Sequence, residues 1–449
     1  MGILRGMAKL KNISGFPEWL PAQKIVEDRL LETIRRVYGS FGFSPIETRS
    51  VEPVSTLAAK GVDKEIYVVQ RLHAAESDDA GLALHFDLTV PFARYVAQNF
   101  NELVFPFKRY QIQKSWRGER PQKGRFREFY QCDIDIVARD VLPLSADAEA
   151  VTVMDQVFRT IAVGRHVIRL NNRKILLGIY SSLGLREEER RQAITAVDKI
   201  SKIGREGVLK ELQDGMGLDL AVAEKIADLA EIKVSASEAE YILSKLEIDD
   251  RLFEDGRREM LALLELLPAE TGKCVQFDLS LARGLDYYTG VIVEFVFEDH
   301  PEFGTVAAGG RYDDLASQFI NKKLPGVGMS FGLTRFLDMA FEHGLFPLEE
   351  KCPSQILVTV YREEDRAECN RIAQVLRDHG LCAEVFLSSP KLGKQIDYAD
   401  ARGIPQILFF DAQKNKIEVK DLRTKEQAYV PDLEKWASAQ AARSSNKRV

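Results

Sequence analysis

The sequence predicts an α+β fold in three parts: an antiparallel sheet flanked by helices, a helical insertion that interrupts it, and a separate small α/β domain towards the C-terminal end. Three observations predict it. Strand-like runs at Phe107 to Ser115 and Phe126 to Val137 enclose a basic loop, as an antiparallel pair would. From about Asn172 to Pro268 the pattern changes to repeated charged and apolar helical periods, after which strand signals return. Beyond Gln355 short β-rich runs alternate with helical segments, the pattern of a mostly parallel α/β unit.

In chain order, Ile25, Val26, Leu30, Leu31, Ile34, Val37 and Tyr38 recur at helical spacing, and Gly39 and Gly42 stop the pattern, so the chain opens with a long amphipathic helix. Short strands are predicted at Ile66 to Leu72, Leu82 to Phe86, Phe107 to Ser115 and Phe126 to Val137. The helical insertion follows. Strands resume at Val275 to Leu279, Val291 to Phe297 and Thr305 to Ala308, then a helix from about Leu333 to His343. Leu345 to Ser354, with Pro347 and Pro353 around a charged run, reads as a linker. The expected organisation is therefore a sheet domain over 1–171 and 269–344, an insertion over 172–268, a linker over 345–354, a second domain over 355–442 and a polar tail over 443–449. Disorder is expected from about Ser438 onward.

Length supports this division, because 449 residues exceed the roughly 100 to 200 of one ordinary domain. With 45% hydrophobic and 29% charged residues, the chain can fill several cores and has no low-complexity tract before its tail. Cys132, Cys274, Cys352, Cys369 and Cys382 lie far apart without a CxxC pair, and no apolar run near Met1 resembles a signal peptide. A reducing, cytoplasmic setting is expected. No stretch of about 18 uncharged apolar residues would span a membrane. The scattered histidines form no close sequence pair with another His or a Cys, so no protein metal cage is expected.

The net charge of −6 hides a local excess of cations. Lys108, Arg109, Lys114, Arg117, Arg120, Lys123, Arg125 and Arg127 crowd one hairpin against a single acid, Glu119. That suits a polyanionic ligand, and it is equally compatible with a solvated basic hairpin. On the returning strand, Gln131, Asp133 and Asp135 share one face by two-residue periodicity. A polar row there is costly to bury unless it binds something, although antiparallel sheets often keep one wet face.

Three later segments add to this. Arg283-Gly284-Leu285-Asp286-Tyr287-Tyr288-Thr289-Gly290 displays a guanidinium, a carboxylate and two phenols between glycines, unusual freight for a turn. Ala307 to Leu315, with Gly309-Gly310-Arg311-Tyr312-Asp313, is compatible with a simple hairpin turn. Gly326 to Phe336 reads as a glycine-rich strand running into a helix that carries Arg335 near its start, which suits phosphate or simply tight packing.

Together these segments resemble the class II aminoacyl-tRNA synthetases, and among them the histidyl-tRNA synthetase family. Arg117 with Glu119 resembles the second class signature and Gly332 to Arg335 the third. The segments around Arg283 and Gly309 are similar to the two peptides peculiar to the histidine family, which are far more specific. Leu84 to Thr89 resembles the amino-acid-binding loop, and Lys391 to Gln395 with Ala399-Asp400 resembles the anticodon-binding domain. The likeness covers essentially the whole chain and is weakest in the insertion. Two positions depart from the family pattern: His85 stands where members usually carry Arg, and Arg49 where a proline is expected, with Pro53 displaced.

The resemblance implies a class II catalytic domain with a C-terminal anticodon-binding domain. The implied reaction is ATP-dependent activation of L-histidine and transfer of the histidyl group to the 3′ end of tRNA(His), with Mg²⁺ at the outgoing pyrophosphate and a homodimeric assembly. It also assigns roles. Arg117 and Arg283 flank the α-phosphate as catalytic cations. Glu119, Arg125 and Arg335 serve ATP. Asp87, Leu88, Thr89 and Gln131 serve the amino-acid backbone, Asp135 and Tyr288 the two imidazole nitrogens, and Tyr287 and Tyr312 the pocket walls. A non-aminoacylating relative that regulates histidine biosynthesis, or an RNA-binding sensor built on an inactive synthetase, would share the fold. Arg117, Arg283, Arg335 and the last domain are all present here, which favours the enzyme.

Overall fold

Val26, Leu30, Leu31, Ile34, Val37 and Tyr38 are buried, and they form one stripe of a helix that runs Pro21–Ser40. In this computed structural model, residues 11–58, 65–72, 81–282, 288–313, 316 and 319–445 are described. The chain divides into two compact units, Met1–Pro17 with Leu30–His343, and Glu18–Arg29 with Gly344–Val449. The second break falls at the start of the predicted linker.

Among the described residues the first unit holds a sheet of nine strands: β1 (Ser44–Pro45), β4 (Phe107–Trp116), β5 (Glu128–Val137), β6 (His166–Asn172), β7 (Lys233–Ser235), β8 (Val275–Asp278), β9 (Val291–Phe297), β10 (Thr305–Tyr312) and β11 (Gly326–Gly332). A separate pair, β2 (Val51–Pro53) and β3 (Leu82–Leu84), is antiparallel. The large sheet runs in the order β1-β4-β5-β11-β10-β9-β6-β8-β7. Its centre, from β4 to β6, is antiparallel throughout, while the β1–β4 and β6–β8 pairs are parallel. The two sides of the sheet differ in kind. On one side, Phe158 from the helix Ser145–Ile161 meets Phe295 and Phe331 at 5.0 and 5.4 Å between ring centroids, and Phe336 from the helix Leu333–Glu342 stacks on Phe297 at 5.7 Å. This aromatic layer buries the sheet's apolar side and leaves the other side for chemistry.

The insertion departs from expectation in one respect. It is mainly helical, but β7 lies within it and pairs antiparallel with β8, so the insertion is stitched to the edge of the main sheet. Its first helix, Arg173–Ser182, crosses the helix Arg251–Leu266 at two glycines. A Cβ at Gly178 would lie 2.4 Å from the Phe253 nitrogen, and one at Gly256 2.7 Å from the Ile175 nitrogen, so only glycine lets the backbones approach this closely. The strand predicted over Ile66 to Leu72 is reduced to a single bridge between Val68 and Ala83, with Val68 and Leu72 exposed. Without a buried face, the run has no packing to hold it as a strand.

Among its described residues the second unit carries five strands, β12 (Ile356–Val358), β13 (Ala383–Val385), β14 (Gln406–Asp411), β15 (Lys416–Asp421) and β16 (Gln427–Tyr429), in the order β13-β12-β14-β15-β16. β12 is parallel to both neighbours, and β14, β15 and β16 form an antiparallel meander. Half of this sheet is therefore antiparallel rather than mostly parallel. Buried Gln395 holds the end of β12, accepting from the Val360 amide at 3.0 Å and donating to the Val360 and Pro390 carbonyls at 2.8 and 3.0 Å. The final helix runs Leu433–Ser445, beyond the point where the polar composition suggested disorder. Ala437 is buried against the core, and that contact secures the helix. The five cysteines are free. No helix among the described residues is long and apolar enough to cross a membrane.

Candidate active site

The polar row predicted on β5 sits at the centre of the sheet. Arg109, Gln111 and Gln113 of β4 stand opposite Asp135, Asp133 and Gln131 of β5, which in turn stand opposite Gly328, Ser330 and Gly332 of β11. Residues directly opposite one another share a face, and Gln131, Asp133, Asp135, Gly328, Ser330 and Gly332 form the floor of a cleft of about 590 Å³. Gln131, Asp133 and Asp135 are only 7%, 2% and 4% exposed, which rules out an ordinary wet face.

Gly328 deepens the floor, and Gly309, opposite Met329 on the other face of the sheet, lets β10 and β11 approach closely. A Cβ at Gly328 would lie 2.1 Å from Oδ1 of Asp135, and one at Gly309 would lie 2.1 Å from the Gly328 carbonyl oxygen. The Gly309-Gly310 pair is thus the middle of strand β10 and not a hairpin turn. Both positions are bare so that a carboxylate and a neighbouring backbone can occupy the space.

The floor is charged and only partly satisfied from within. Arg109 lies fully buried, 2.5 Å from the Asp135 carboxylate and 4.2 Å over the Phe92 ring. The Tyr312 hydroxyl donates to Oδ1 of Asp135 at 2.7 Å. Burial still outweighs these partners and pushes Asp135 up to about 6; Arg109 and Tyr312 oppose the rise and Asp87 adds to it. Asp133 is pushed up to about 7, again by burial first, with Arg109 and Ser330 opposing. The Gln131 amide donates to the Ser330 hydroxyl at 3.0 Å. Oε1 of Gln131 and Oδ1 of Asp133 are buried acceptors with no hydrogen-bond partner among the described residues. Such atoms are costly unless a donor arrives from outside the chain.

The rim comes from segments flanking the sheet. Arg117 directly follows β4; its Nε donates to the Phe86 carbonyl at 3.0 Å and its guanidinium lies 5.1 Å over the Phe129 ring. It forms no ion pair among the described residues. Glu119 pairs with Arg125 at 2.9 Å, and Arg335, in the first turn of its helix, donates to the Phe303 carbonyl at 2.9 Å. Asp87 and Thr89 reach the cleft from the start of the helix Thr89–Gln98, where Oδ1 of Asp87 accepts from the Val90 amide at 3.1 Å. Tyr288 lines the same cleft.

Not every predicted position takes part. Leu88 is fully buried and does not line the cleft, because the helix start turns it inward beside Asp87. Arg283 and Tyr287 lie outside the described residues. Arg311, the cation of the Gly309 segment, points away and pairs with Asp147, with Nη1 donating to the Leu142 carbonyl at 3.0 Å. The basic hairpin is also less cationic than its sequence suggests. Lys108, Arg109, Lys114, Lys123 and Arg125 are paired with Glu149, Asp135, Glu128, Glu342 and Glu119. Four of those five acids lie outside the hairpin loop, so counting charge along it misses them. His85, at its departure from the family pattern, is buried and bridges two carbonyls, with Nε2 2.7 Å from that of Lys114 and Nδ1 3.3 Å from that of Arg49. Arg49 itself pairs with fully buried Glu52, which also receives Arg94.

Comparison with known sequences decides the family. The sequence profile of histidyl-tRNA synthetase matches residues 15–336, and that of an anticodon binding domain matches residues 346–438. The chain belongs to the histidyl-tRNA synthetase family. It is 46% identical over 420 residues to a histidine–tRNA ligase of Thermobifida fusca (strain YX), covering 92% of this chain and 95% of that one. Among solved structures, a histidyl-tRNA synthetase from Nostoc sp. PCC 7120 superposes with a TM-score of 0.88 at 36% identity, over 96% of this chain and all of that one. A Bacillus halodurans C protein described as an ATP phosphoribosyltransferase regulatory subunit/histidyl-tRNA synthetase shares the fold at 18% identity and a TM-score of 0.72, covering 87% of this chain and 97% of that one. The nine-stranded and five-stranded sheets are accordingly those of a class II catalytic domain and a C-terminal anticodon-binding domain.

Sequence reasoning missed two contributors to this histidyl-tRNA synthetase cleft. Asp133 belongs to the polar row but received no role, and its unpartnered oxygen emerges only once the register is known. Glu294, opposite Ala308 on β9, lines the cleft from a strand that reads in sequence as an apolar run. Its place in an otherwise hydrophobic stretch, Val291 to Phe297, was the available signal.

Proposed function

We propose that this cleft activates L-histidine with ATP and transfers the histidyl group to tRNA(His), as befits a class II synthetase, and that each side chain described acts as follows. The observation that carries the residue roles is the pair of buried acceptors, Gln131 Oε1 and Asp133 Oδ1, that have no hydrogen-bond partner among the described residues, beneath a rim that carries Arg117. An α-ammonium offers three donors and suits those acceptors, with Asp87 and Thr89 beside them. The amino acid's carboxylate then faces Arg117.

In the first step a carboxylate oxygen of histidine attacks the α-phosphorus of ATP. A P–O bond forms, the bond to the β-phosphate bridge breaks, and pyrophosphate leaves. Charge accumulates on the α-phosphate in the transition state, and Arg117, already fixed by Phe86 and Phe129, is positioned to meet it. Its planar fork can hold the carboxylate and a phosphate oxygen together. Arg283 is assigned the opposite side of that phosphate by family resemblance. Arg335 holds the γ-phosphate, while Glu119 accepts from the adenine amino group with Arg125 beside it. In the second step a ribose hydroxyl at the 3′ end of the tRNA attacks the acyl carbon and AMP departs.

The imidazole is read by Asp135 and Tyr288, with Tyr312 and Tyr287 shaping the wall. Arg109 and Tyr312 hold Asp135 in place, so a side chain lacking the matching nitrogen forfeits its hydrogen bond to an already oriented carboxylate, at about 1–3 kcal/mol. When bound, Mg²⁺ would neutralise the outgoing pyrophosphate, and Glu294 supplies a hard oxygen donor of the kind it prefers. The chain is further proposed to act as a homodimer in the cytoplasm; light scattering should give twice 50.7 kDa. The test of the central reading is amino-acid-dependent exchange of pyrophosphate into ATP across the standard amino acids. Histidine alone should support it, and equal exchange with another amino acid would overturn the assignment.

A further inference from the structure

The segment between β9 and β10 and the end of the helix Leu333–Glu342 bring together three side chains that the cleft does not use. His300 and Glu302 stand on the segment, beside the single turn Pro301–Phe303, and His343 is the residue that closes the helix. Oε1 of Glu302 lies 3.3 Å from Nδ1 of His300 and 3.3 Å from Nε2 of His343. Their ligand atoms all lie within 4.8 Å of one another. Buried Phe303 orients both rings, with His300 stacked on it at 5.0 Å and His343 edge-on at 5.3 Å.

The His300–Glu302 contact is a long hydrogen bond, and the same spacing also suits a shared cation. A charge-assisted N–H···O⁻ contact closes to about 2.7–2.9 Å. Ligand atoms held about 2.0–2.1 Å from a tetrahedral Zn²⁺ stand about 3.3–3.4 Å apart, the edge of the tetrahedron. Both observed separations match the second figure. Two imidazole nitrogens and one carboxylate oxygen form the donor set of a borderline divalent cation, whereas Mg²⁺ prefers oxygen throughout. Side-chain exposures of 19%, 43% and 32% for His300, Glu302 and His343 let an ion enter without opening the fold. A second group, Asp155, His166 and Cys274, differs in that Asp155 is already engaged. Its Oδ1 meets His166 at 2.6 Å, and its Oδ2 accepts from Arg159 and Thr271 at 2.8 and 2.7 Å.

We propose that His300, Glu302 and His343 bind one Zn²⁺-class divalent cation, with water completing its coordination. The ion ties the segment before β10 to the end of the helix that carries Arg335. The site stands on these three residues and is independent of the roles proposed within the cleft.

The test uses the full-length, metal-stripped protein. Calorimetric titration with ZnCl₂ should give one equivalent per chain, with affinity reduced at least about tenfold in His343→Ala and in Glu302→Gln. Bound Co²⁺ should show the visible bands of a four-coordinate ion in the wild type and lose them in both variants. Zn²⁺ should raise the melting temperature of the wild type and leave that of His343→Ala unchanged. Pyrophosphate exchange by the metal-stripped variants should stay near the wild-type rate, which separates this site from the cleft. Failure of the wild type to bind Zn²⁺, or unchanged affinity in the exposed-site variant Glu302→Gln, overturns the proposal whether or not His343→Ala folds.

Discussion

The guanidinium of Arg109 lies 2.5 Å from the Asp135 carboxylate, directly across the β4–β5 pair, and has no exposed surface of its own. This places a permanent charge behind the residue assigned to the imidazole. Removing one partner of a buried ion pair leaves the other uncompensated, at about 3–5 kcal/mol. Arg109→Ala should therefore lower stability by about that amount in denaturant unfolding, and Arg109→Ala with Asp135→Asn should lose less than the sum of the two single changes. A loss below about 1 kcal/mol in Arg109→Ala would mean that Tyr312 alone satisfies Asp135.

Asp133 gives a pH signature. Its folded-state value near 7 lies above the ordinary 3.8, because burial disfavours the charge. Between those values the unfolded chain has released a proton that the native state retains, so this residue makes stability fall as pH rises through the window. Ligand binding runs the other way, since an α-ammonium needs the ionised carboxylate. The kcat/KM for histidine in pyrophosphate exchange should fall as pH drops below about 7. In Asp133→Asn the inflection should move down towards about 6, where Asp135 still titrates beside free histidine. An unchanged profile would remove Asp133 from the binding set.

Gly328 tests the depth of the floor. A methyl group there would meet Oδ1 of Asp135 at 2.1 Å, and that carboxylate is held from two sides. Gly328→Ala should cost about 1–3 kcal/mol of stability through overpacking. The same displacement should raise KM for histidine about tenfold or more, equivalent to about 1.4 kcal/mol, with little effect on KM for ATP. Equal shifts for both substrates would indicate general disruption of the sheet.

How much of this could be read from sequence depends on the range of the interaction. Periodicity alone put Gln131, Asp133 and Asp135 on one face, because the strand repeat of two is fixed by the backbone. The same local logic located the opening helix and the strand that runs into the Arg335 helix. What stayed hidden depends on distant partners. Gly309 and Gly310 look like a turn until Gly328 is known to lie beside them. Lys108 and Lys114 look like free cations until Glu149 and Glu128 arrive. β7 becomes a strand only because β8, some forty positions later, offers an edge. The meeting of His300 with His343 has no sequence signal, since the positions are joined only by the route of β10 and β11. Asp133 was in view but went unassigned, because its unpartnered oxygen is a property of the packed floor.

Arg117 carries the sharpest prediction. It forms no ion pair among the described residues, whereas Arg109 and Arg125 on the same hairpin are neutralised by Asp135 and Glu119. Its orientation is nevertheless fixed, by the Phe86 carbonyl at 3.0 Å and the Phe129 ring at 5.1 Å. A pre-oriented, uncompensated cation suits charge that develops during reaction, so the main loss on removing it should be in turnover rather than in ATP affinity. Arg117→Ala should slow adenylate formation by about a hundred- to a thousand-fold, equivalent to about 2.7–4 kcal/mol. Arg117→Lys should recover only part of this, because it keeps the charge and loses the fork. The measurement is rapid-quench adenylate formation at saturating ATP and histidine, so that altered affinity does not enter. If Arg117→Ala instead reacts within about threefold of wild type, a difference near 0.65 kcal/mol, Arg117 only braces the Phe86 loop and the charge must be met by another cation.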